Sequence, residues 1–175
     1  MPQEIIRPDS TTSLTGWNPS TNIHSVIGDN DPSTSALQIS TTCNFTGTLS
    51  NLTIDASSTI NFIQASLLGV AGRTGSTSAT VNFSHPTDGS FGSASKSVTG
   101  LNVYVFSKFT TQQDGSSALT VAYVNDLSIV LTPATSGITV SELFVTVDYT
   151  EPPALSGKVV LTSGRVTLTT GKITL

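Results

Sequence analysis

The sequence has little of what a disulfide-held, helical or membrane-spanning protein needs. It holds one cysteine, and charged residues are only 10 % of it, against roughly 25 % in an average soluble domain. A single thiol, Cys43, cannot close an intrachain bridge, so this is not a disulfide scaffold. Leu, Ala, Glu, Lys and Arg are scarce, and no window of helical length carries an apolar 3.6-residue period, which excludes a helical bundle. No apolar run reaches the roughly 18 residues of a transmembrane helix. The net charge of −4 comes without a basic stripe, which argues against nucleic-acid binding. A disordered chain of low hydrophobicity normally has high net charge, and this one does not. Met1-Pro2-Gln3-Glu4 has no basic flank and no apolar core, so no signal peptide is expected.

What is present suits strands and turns. Ser and Thr together account for 55 of 175 residues, interspersed with Val and Ile and broken by 14 Gly and 8 Pro. That length is enough for one domain with a real core. The composition points to a rigid extracellular or particle-bound β protein. Without signal or disulfides, it fits a protein made in a bacterial host cytoplasm and released with a virus particle.

Residues 1–35 are polar and turn-rich, with Arg7-Pro8-Asp9-Ser10, Asn18-Pro19-Ser20 and Asp31-Pro32-Ser33. They read as an extended N-terminal arm. Trp17, the one Trp, has the apolar area to anchor that arm on the body. From 36 to 150, strand-like runs recur: Ala36–Thr42, Ser58–Val70, Thr77–Phe83, Leu101–Phe109, Leu127–Thr132 and Glu142–Tyr149. Leu101–Phe109 is apolar on both faces, which predicts a central strand covered twice. Arg73–Ser76 and His85–Ser93 read as turn clusters, and Asp114–Asp126 has room for one short helical turn. The pattern predicts an all-β, two-layer antiparallel sandwich of seven to nine strands. Residues 151–156, with Pro152-Pro153, form a stiff linker.

Residues 157–175 repeat a seven-residue unit: Gly, a base, Val or Ile, any residue, Leu, two hydroxyls. Two-residue turns at Ser163-Gly164 and Thr170-Gly171 place Val159, Leu161, Val166, Leu168, Ile173 and Leu175 on one face of a three-stranded meander. Strands interleaved from several chains are an alternative. Such a meander cannot stand alone, so the apolar face must cover the chain's own body, sister tails or another protein. The linker favours another chain, and a dimer or trimer is expected. Charge is segregated as well: residues 1–153 carry a net −7, whereas 154–175 carry Lys158, Arg165 and Lys172 and no acid. These bases either guard strand edges or attract an acidic neighbour.

Catalytic and metal chemistry finds no foothold. His24 and His85 are the two imidazoles, no Gly-x-Ser-x-Gly elbow is present, and one Cys with two distant His does not make a zinc site. Asp29-Asn30-Asp31 reads as an Asx-rich turn before Ca²⁺ ligands. Asn44-Phe45-Thr46, Asn51-Leu52-Thr53 and Asn82-Phe83-Ser84 match glycosylation acceptors, which chance supplies in so hydroxyl-rich a chain. No enzyme activity, cofactor or metal is expected.

Several short signatures together resemble a β-sandwich domain of tailed-bacteriophage virion proteins and related surface proteins. They are Arg7-Pro8-Asp9-Ser10, Gly16-Trp17, Asp29–Ser33, the run Tyr123-Val124-Asn125-Asp126-Leu127 to Leu131, and the closing Ile138–Tyr149 with Thr150. The likeness covers about residues 5–150. It departs from the pattern at Asp126, which follows Asn125 where the family's acid precedes its Asn, and the repeat tail lies outside it. The resemblance implies a jelly-roll-like sandwich serving in capsid decoration, fibres or glycan contact. The expectation is therefore a structural protein on the outer surface of the virion, which decorates or cements a capsid lattice through its arm and tail. Its partners are the major capsid protein or another virion protein, with no nucleic acid and no membrane. The alternative is a tail-fibre or carbohydrate-binding module contacting a host surface, which an exposed aromatic platform would favour.

Overall fold

The computed structural model describes residues 1–153 except 20, 41, 72–76 and 135–136; the repeat of residues 157–175 lies outside the described residues. In chain order the elements are β1 (Gln3–Ile6), β2 (Ser13–Thr15), β3 (Trp17–Asn18), α1 (His24–Ile27), β4 (Ala36–Gln38), β5 (Asn44–Thr48), β6 (Thr59–Ala71) and β7 (Thr77–His85). They continue with β8 (Gly89–Val98), β9 (Asn102–Phe109), α2 (Val121–Asn125), β10 (Ser128–Pro133) and β11 (Ile138–Thr150). All pairings are antiparallel and build two sheets. The first runs β3-β4-β11-β6-β9, with β1 also on β11, and the second runs β2-β5-β10-β7-β8. The chain is thus a two-layer antiparallel β-sandwich.

Period-two alternation decides which side of each strand is buried. On β7, Ala79, Val81 and Phe83 point inward. On β10 it is Ile129 and Leu131, and on β11 Leu143, Val145 and Val147. Ile63, Ala65 and Leu67 of β6 join those of β11 on the first sheet's side of the core, facing β7 and β10 of the second. Phe83 sits at one end of this core, 5.8 Å from Phe109 edge-on and 5.9 Å from Phe91, in the tilted and T-shaped arrangements that ring quadrupoles favour.

Residues 1–35 are part of the sandwich, not an extended arm. Prolines 8, 19 and 32 cut the segment into pieces too short for long strands, yet backbone groups laid against a sheet must still be paired. β1 pairs with β11, β2 with β5 and β3 with β4. Between them Asp9 N–H donates to Thr48 O (3.0 Å) and Thr12 N–H to Thr46 O (2.8 Å). The chain therefore laces from the first sheet to the second and back.

Gly16 makes the return possible. It joins β2 in one sheet to β3 in the other with φ +75°, a conformation open to glycine and strained for other residues. A Cβ there would also lie 2.7 Å from the Thr42 carbonyl oxygen. The next side chain, Trp17, turns into the core and is 1 % exposed.

Two further expectations change. The Leu101–Phe109 run becomes β9, an edge strand of the first sheet hydrogen-bonded to β6, so it is not central. Its inner side chain Phe106 is buried, but Leu101, Val103 and Val105 are exposed. Apolar side chains on both faces looked like double coverage, and the second cover is absent among the described residues. The His85–Ser93 cluster is a turn only to Asp88, after which β8 begins. Small side chains let β8 run along the sandwich edge, with Gly92 against the ring of Phe109.

Replacing Gly16 by Ala is expected to lower unfolding stability by about 1–3 kcal/mol, the range for a forced left-handed residue. Gly100, where an added Cβ meets nothing within 4 Å, is the control. Gly100→Ala should stay within about 0.5 kcal/mol of the parent. Urea denaturation of the two variants checks the contrast.

Candidate functional site

Of the residues singled out by sequence, Val159, Leu161, Val166, Leu168, Ile173, Leu175, Lys158, Arg165 and Lys172 lie outside the described residues. The two imidazoles are far apart in role. His24 Nδ1 lies 2.9 Å from Thr11 Oγ1, which also accepts the His24 backbone N–H at 3.3 Å. This pair ties α1 to the segment before it. His85 stacks on Tyr123, centroids 4.2 Å apart and planes within 8°, with Asp88 Oδ2 3.4 Å from its Nδ1. Among the described residues no three His, Cys, Asp or Glu side chains converge as a metal site would need.

The Asp29–Ser33 segment is a network of local turns. Asp29 Oδ1 accepts the Asp31 N–H (3.0 Å), and Asp31 Oδ1 accepts both the N–H and the hydroxyl of Ser33 (2.9 and 2.6 Å). The Ser33 bonds hold the Asp31 carboxyl below its ordinary range, the hydroxyl bond most of all. Arg7 reaches over from β1. Its guanidinium donates to Asn30 Oδ1 (2.5 Å), lies 3.7 Å from Glu142 Oε2 and sits 5.5 Å above the Phe144 ring. The Arg-Pro start and the acidic turn of the sequence signature are thus one clamp holding residues 7–31 against β11.

A candidate binding groove opens where β11 leaves the sandwich. Tyr149, Glu151 and Pro152 form one wall and Ile54 and Asp55 the other, around about 240 Å³. The volume is below the about 300–1,000 Å³ of a site for a drug-sized ligand, so it suits a single ring. Tyr149 is placed by its pairing with Ile60 and by its N–H, which donates to Pro2 O (3.2 Å). Between the Asp148–Phe62 and Tyr149–Ile60 pairs the register slips by one, leaving Asn61 of β6 unpaired in the ladder while the alternation along β11 continues. Asp148 stays on the outer face, accepting from Asn61 Nδ2 (2.8 Å) and Gln3 Nε2 (3.2 Å). The Asn61 bond is the main cause that lowers its carboxyl.

The opposite wall is fixed from three sides. Asn125 Oδ1, at the end of α2, accepts the Leu52 N–H at 2.7 Å. The Glu4 carboxylate of β1 accepts the N–H and the hydroxyl of Thr53 at 3.0 and 2.8 Å. Asp55 Oδ1 accepts the N–H and hydroxyl of Ser57 at 2.8 and 2.6 Å. α2 is itself held by its N-cap, where Thr120 Oγ1 accepts the Tyr123 N–H at 3.1 Å. Asn125 belongs to the Tyr-Val-Asn-Asp-Leu signature, and its work is to position this loop. Sequence reasoning missed the groove, because its walls come from residues 52–57 and 149–152, nearly a hundred positions apart.

Chemically the groove offers a half-buried aromatic ring, a proline ring and two carboxylates. A second hollow of similar volume, lined by Thr11–Leu14, Thr21 and Asn22, offers hydroxyls and amides without an aromatic face or a charge. Elsewhere Trp17, Phe45, Phe83 and Phe106 are buried, and Phe62 lies under Lys108, whose Nζ is 3.9 Å from the ring centroid.

No family model and no curated protein matches this sequence. Among solved structures, the chain is similar to the C-terminal CBM6 module of LamC, a marine laminarinase from Zobellia galactanivorans. The TM-score is 0.46 at 9 % identity, over 84 % of this chain and all of that one. It is also similar to the CBM22-1–GH10 modules of xylanase 10B from Clostridium thermocellum, complexed with xylohexaose. There the TM-score is 0.35 at 11 % identity, over 69 % of this chain and 23 % of that one.

Asn125→Ala removes the acceptor that holds Leu52 and leaves its N–H unpaired. A stability loss of about 1–3 kcal/mol follows from an orphaned buried donor. Hydrogen exchange should speed up at Leu52–Asp55 and be unchanged in β7 and β10. Native-state exchange on the variant checks this.

Proposed function

We propose that the domain is a non-catalytic binding module that takes a neutral sugar residue of a surface glycan in the groove at the end of β11. The observation that carries this reading is Tyr149, Glu151 and Pro152 facing Ile54 and Asp55 across about 240 Å³. A pyranose ring is amphipathic. Its C–H face packs on an aromatic or proline ring, and its hydroxyls are donors for carboxylate oxygens. Two carboxylates on a body of net charge −7 repel anionic sugars, which selects for neutral ones. The loop is held by Glu4 and Asn125 before any ligand arrives, so little ordering cost is left for binding.

Titration of the full chain with a panel of neutral hexose and pentose oligosaccharides, followed by calorimetry, tests the reading. Tyr149→Ala should weaken binding about tenfold or more, the equivalent of about 1.4 kcal/mol. Tyr149→Phe should bind nearly as the parent does, because the ring face is kept. Binding that is indifferent to Tyr149→Ala, or absent across the panel, would contradict it.

A second reading, a virion structural protein on the outer surface of a phage particle, is supported by one specific observation. The outer face of the first sheet exposes Leu101, Val103 and Val105, which suits contact with protein rather than with water. On that reading the partner is the major capsid protein or another virion protein, and the domain decorates or cements the lattice. Co-purification of the chain with intact particles that are stripped by Val103→Lys would favour it.

A further inference from the structure

The outer face of the first sheet carries an apolar patch at the end where β9 begins, bordered by Ser66, Thr139 and Glu142. Register places Val103 beside Leu68, Val105 beside Ser66, and Val70 beside Thr139, which pairs in turn with Leu37. Leu101 flanks the row. Val103 and Val105 are each 45 % exposed and Leu101 is 71 % exposed. The outer face of the second sheet is different. There Thr46, Thr48, Thr80, Asn82, Ser84, Ser128 and Thr132, with Val130 among them, alternate with the core positions, as befits a face left largely in water.

The sequence holds one segment with a matching unpaired surface. Residues 157–175 alternate Val, Leu and Ile with hydroxyls and bases, and carry a charge of +3 against −7 for the first 153 residues. The described chain ends at Pro153, three residues past β11. From Thr150 back to Glu142, which pairs with Leu68 in the patch row, is about 27 Å at the usual strand rise. β11 runs away from the patch, and Pro152-Pro153 resists an immediate reversal. The 22 residues after Pro153 could span about 70 Å when extended, ample to reach the patch of a neighbouring copy.

We propose that residues 157–175 of a second copy of this chain dock on the Leu101–Val105 face of the first sheet, reciprocally, in a closed dimer. A twofold exchange uses the same patch and the same segment on both copies and leaves neither uncovered. Opposite net charges of body and repeat favour the encounter. This does not depend on the saccharide reading, since the groove at Tyr149 lies at the other end of β11.

The test is the mass of the full chain in solution, by sedimentation equilibrium, with two variants. Wild type should sediment at twice 18.1 kDa. The patch variant Val103→Lys/Val105→Lys and the repeat variant Leu161→Asp/Leu168→Asp should each sediment at 18.1 kDa. Both positions of the patch variant point outward, so its circular dichroism should match wild type. The repeat variant leaves every described core residue unchanged. A wild-type monomer would overturn the proposal and leave the patch to the chain's own repeat or to a different protein. A dimer that survives either variant would overturn it as well. Retained oligosaccharide binding in a monomeric patch variant would separate this result from that for the Tyr149 groove.

Discussion

The sandwich depends on the two-edged pairing of β11. Over thirteen residues this strand is bonded along one edge to β6 and along the other to β4 and then β1. Burying Leu143, Val145 and Val147 on one side while satisfying backbone groups on both edges fixes where everything else goes. β6 carries β9 outward, β4 carries β3, and β1 brings in the first residues of the chain. The bulge at Asp148/Tyr149 is the one break in that regularity near the strand's end. Alternation along β11 continues past it, with Asp148 on the outer face and Tyr149 partly buried against the core at the end of the sandwich, where the groove is.

The long alternating strands were legible in the sequence because one side of each is buried. Thr77–Phe83 and Glu142–Tyr149 could be read from their patterns, although β7 continues to His85 and β11 already begins at Ile138, and the two-sheet architecture followed. The short strands were not legible. β2 and β3 together hold five residues around Gly16, too few for any period, and their pairing is decided by where β5 and β4 already lie. β8 escaped notice because Ser and Gly dominate it; its place comes from the hairpin with β7 rather than from its own preference. For β9 the pattern was seen and its meaning reversed. An apolar outer face does not by itself show that the same fold covers a strand.

The candidate site was visible only in fragments. Asn125 stands out in sequence as part of a short signature and Glu4 does not, and their shared task, holding residues 52–55 in place, appears only when β1, α2 and the loop before β6 meet. Tyr149 reads as one more inward residue of its strand, and it does pack partly against the core; the pattern leaves out only that Ile54 and Asp55 face it. The low charge of the chain also becomes intelligible. Hydroxyl and amide side chains on the second sheet do the solvating that charges do elsewhere, as with Thr80 and Ser95, whose hydroxyls lie 2.6 Å apart across neighbouring strands.

The account puts recognition at the end of β11 and protein contact on the outer face of the first sheet. Backbone amide NMR of the full chain, with saturating amounts of a bound neutral oligosaccharide, tests that assignment most directly. The expected result is a set of shifted amides confined to Ile54, Asp55, Tyr149 and Glu151 and their immediate neighbours, with Asn102–Phe109 unmoved. Shifts centred on Leu101–Val105, or spread over the hydroxyl face of β7 and β10, would contradict it.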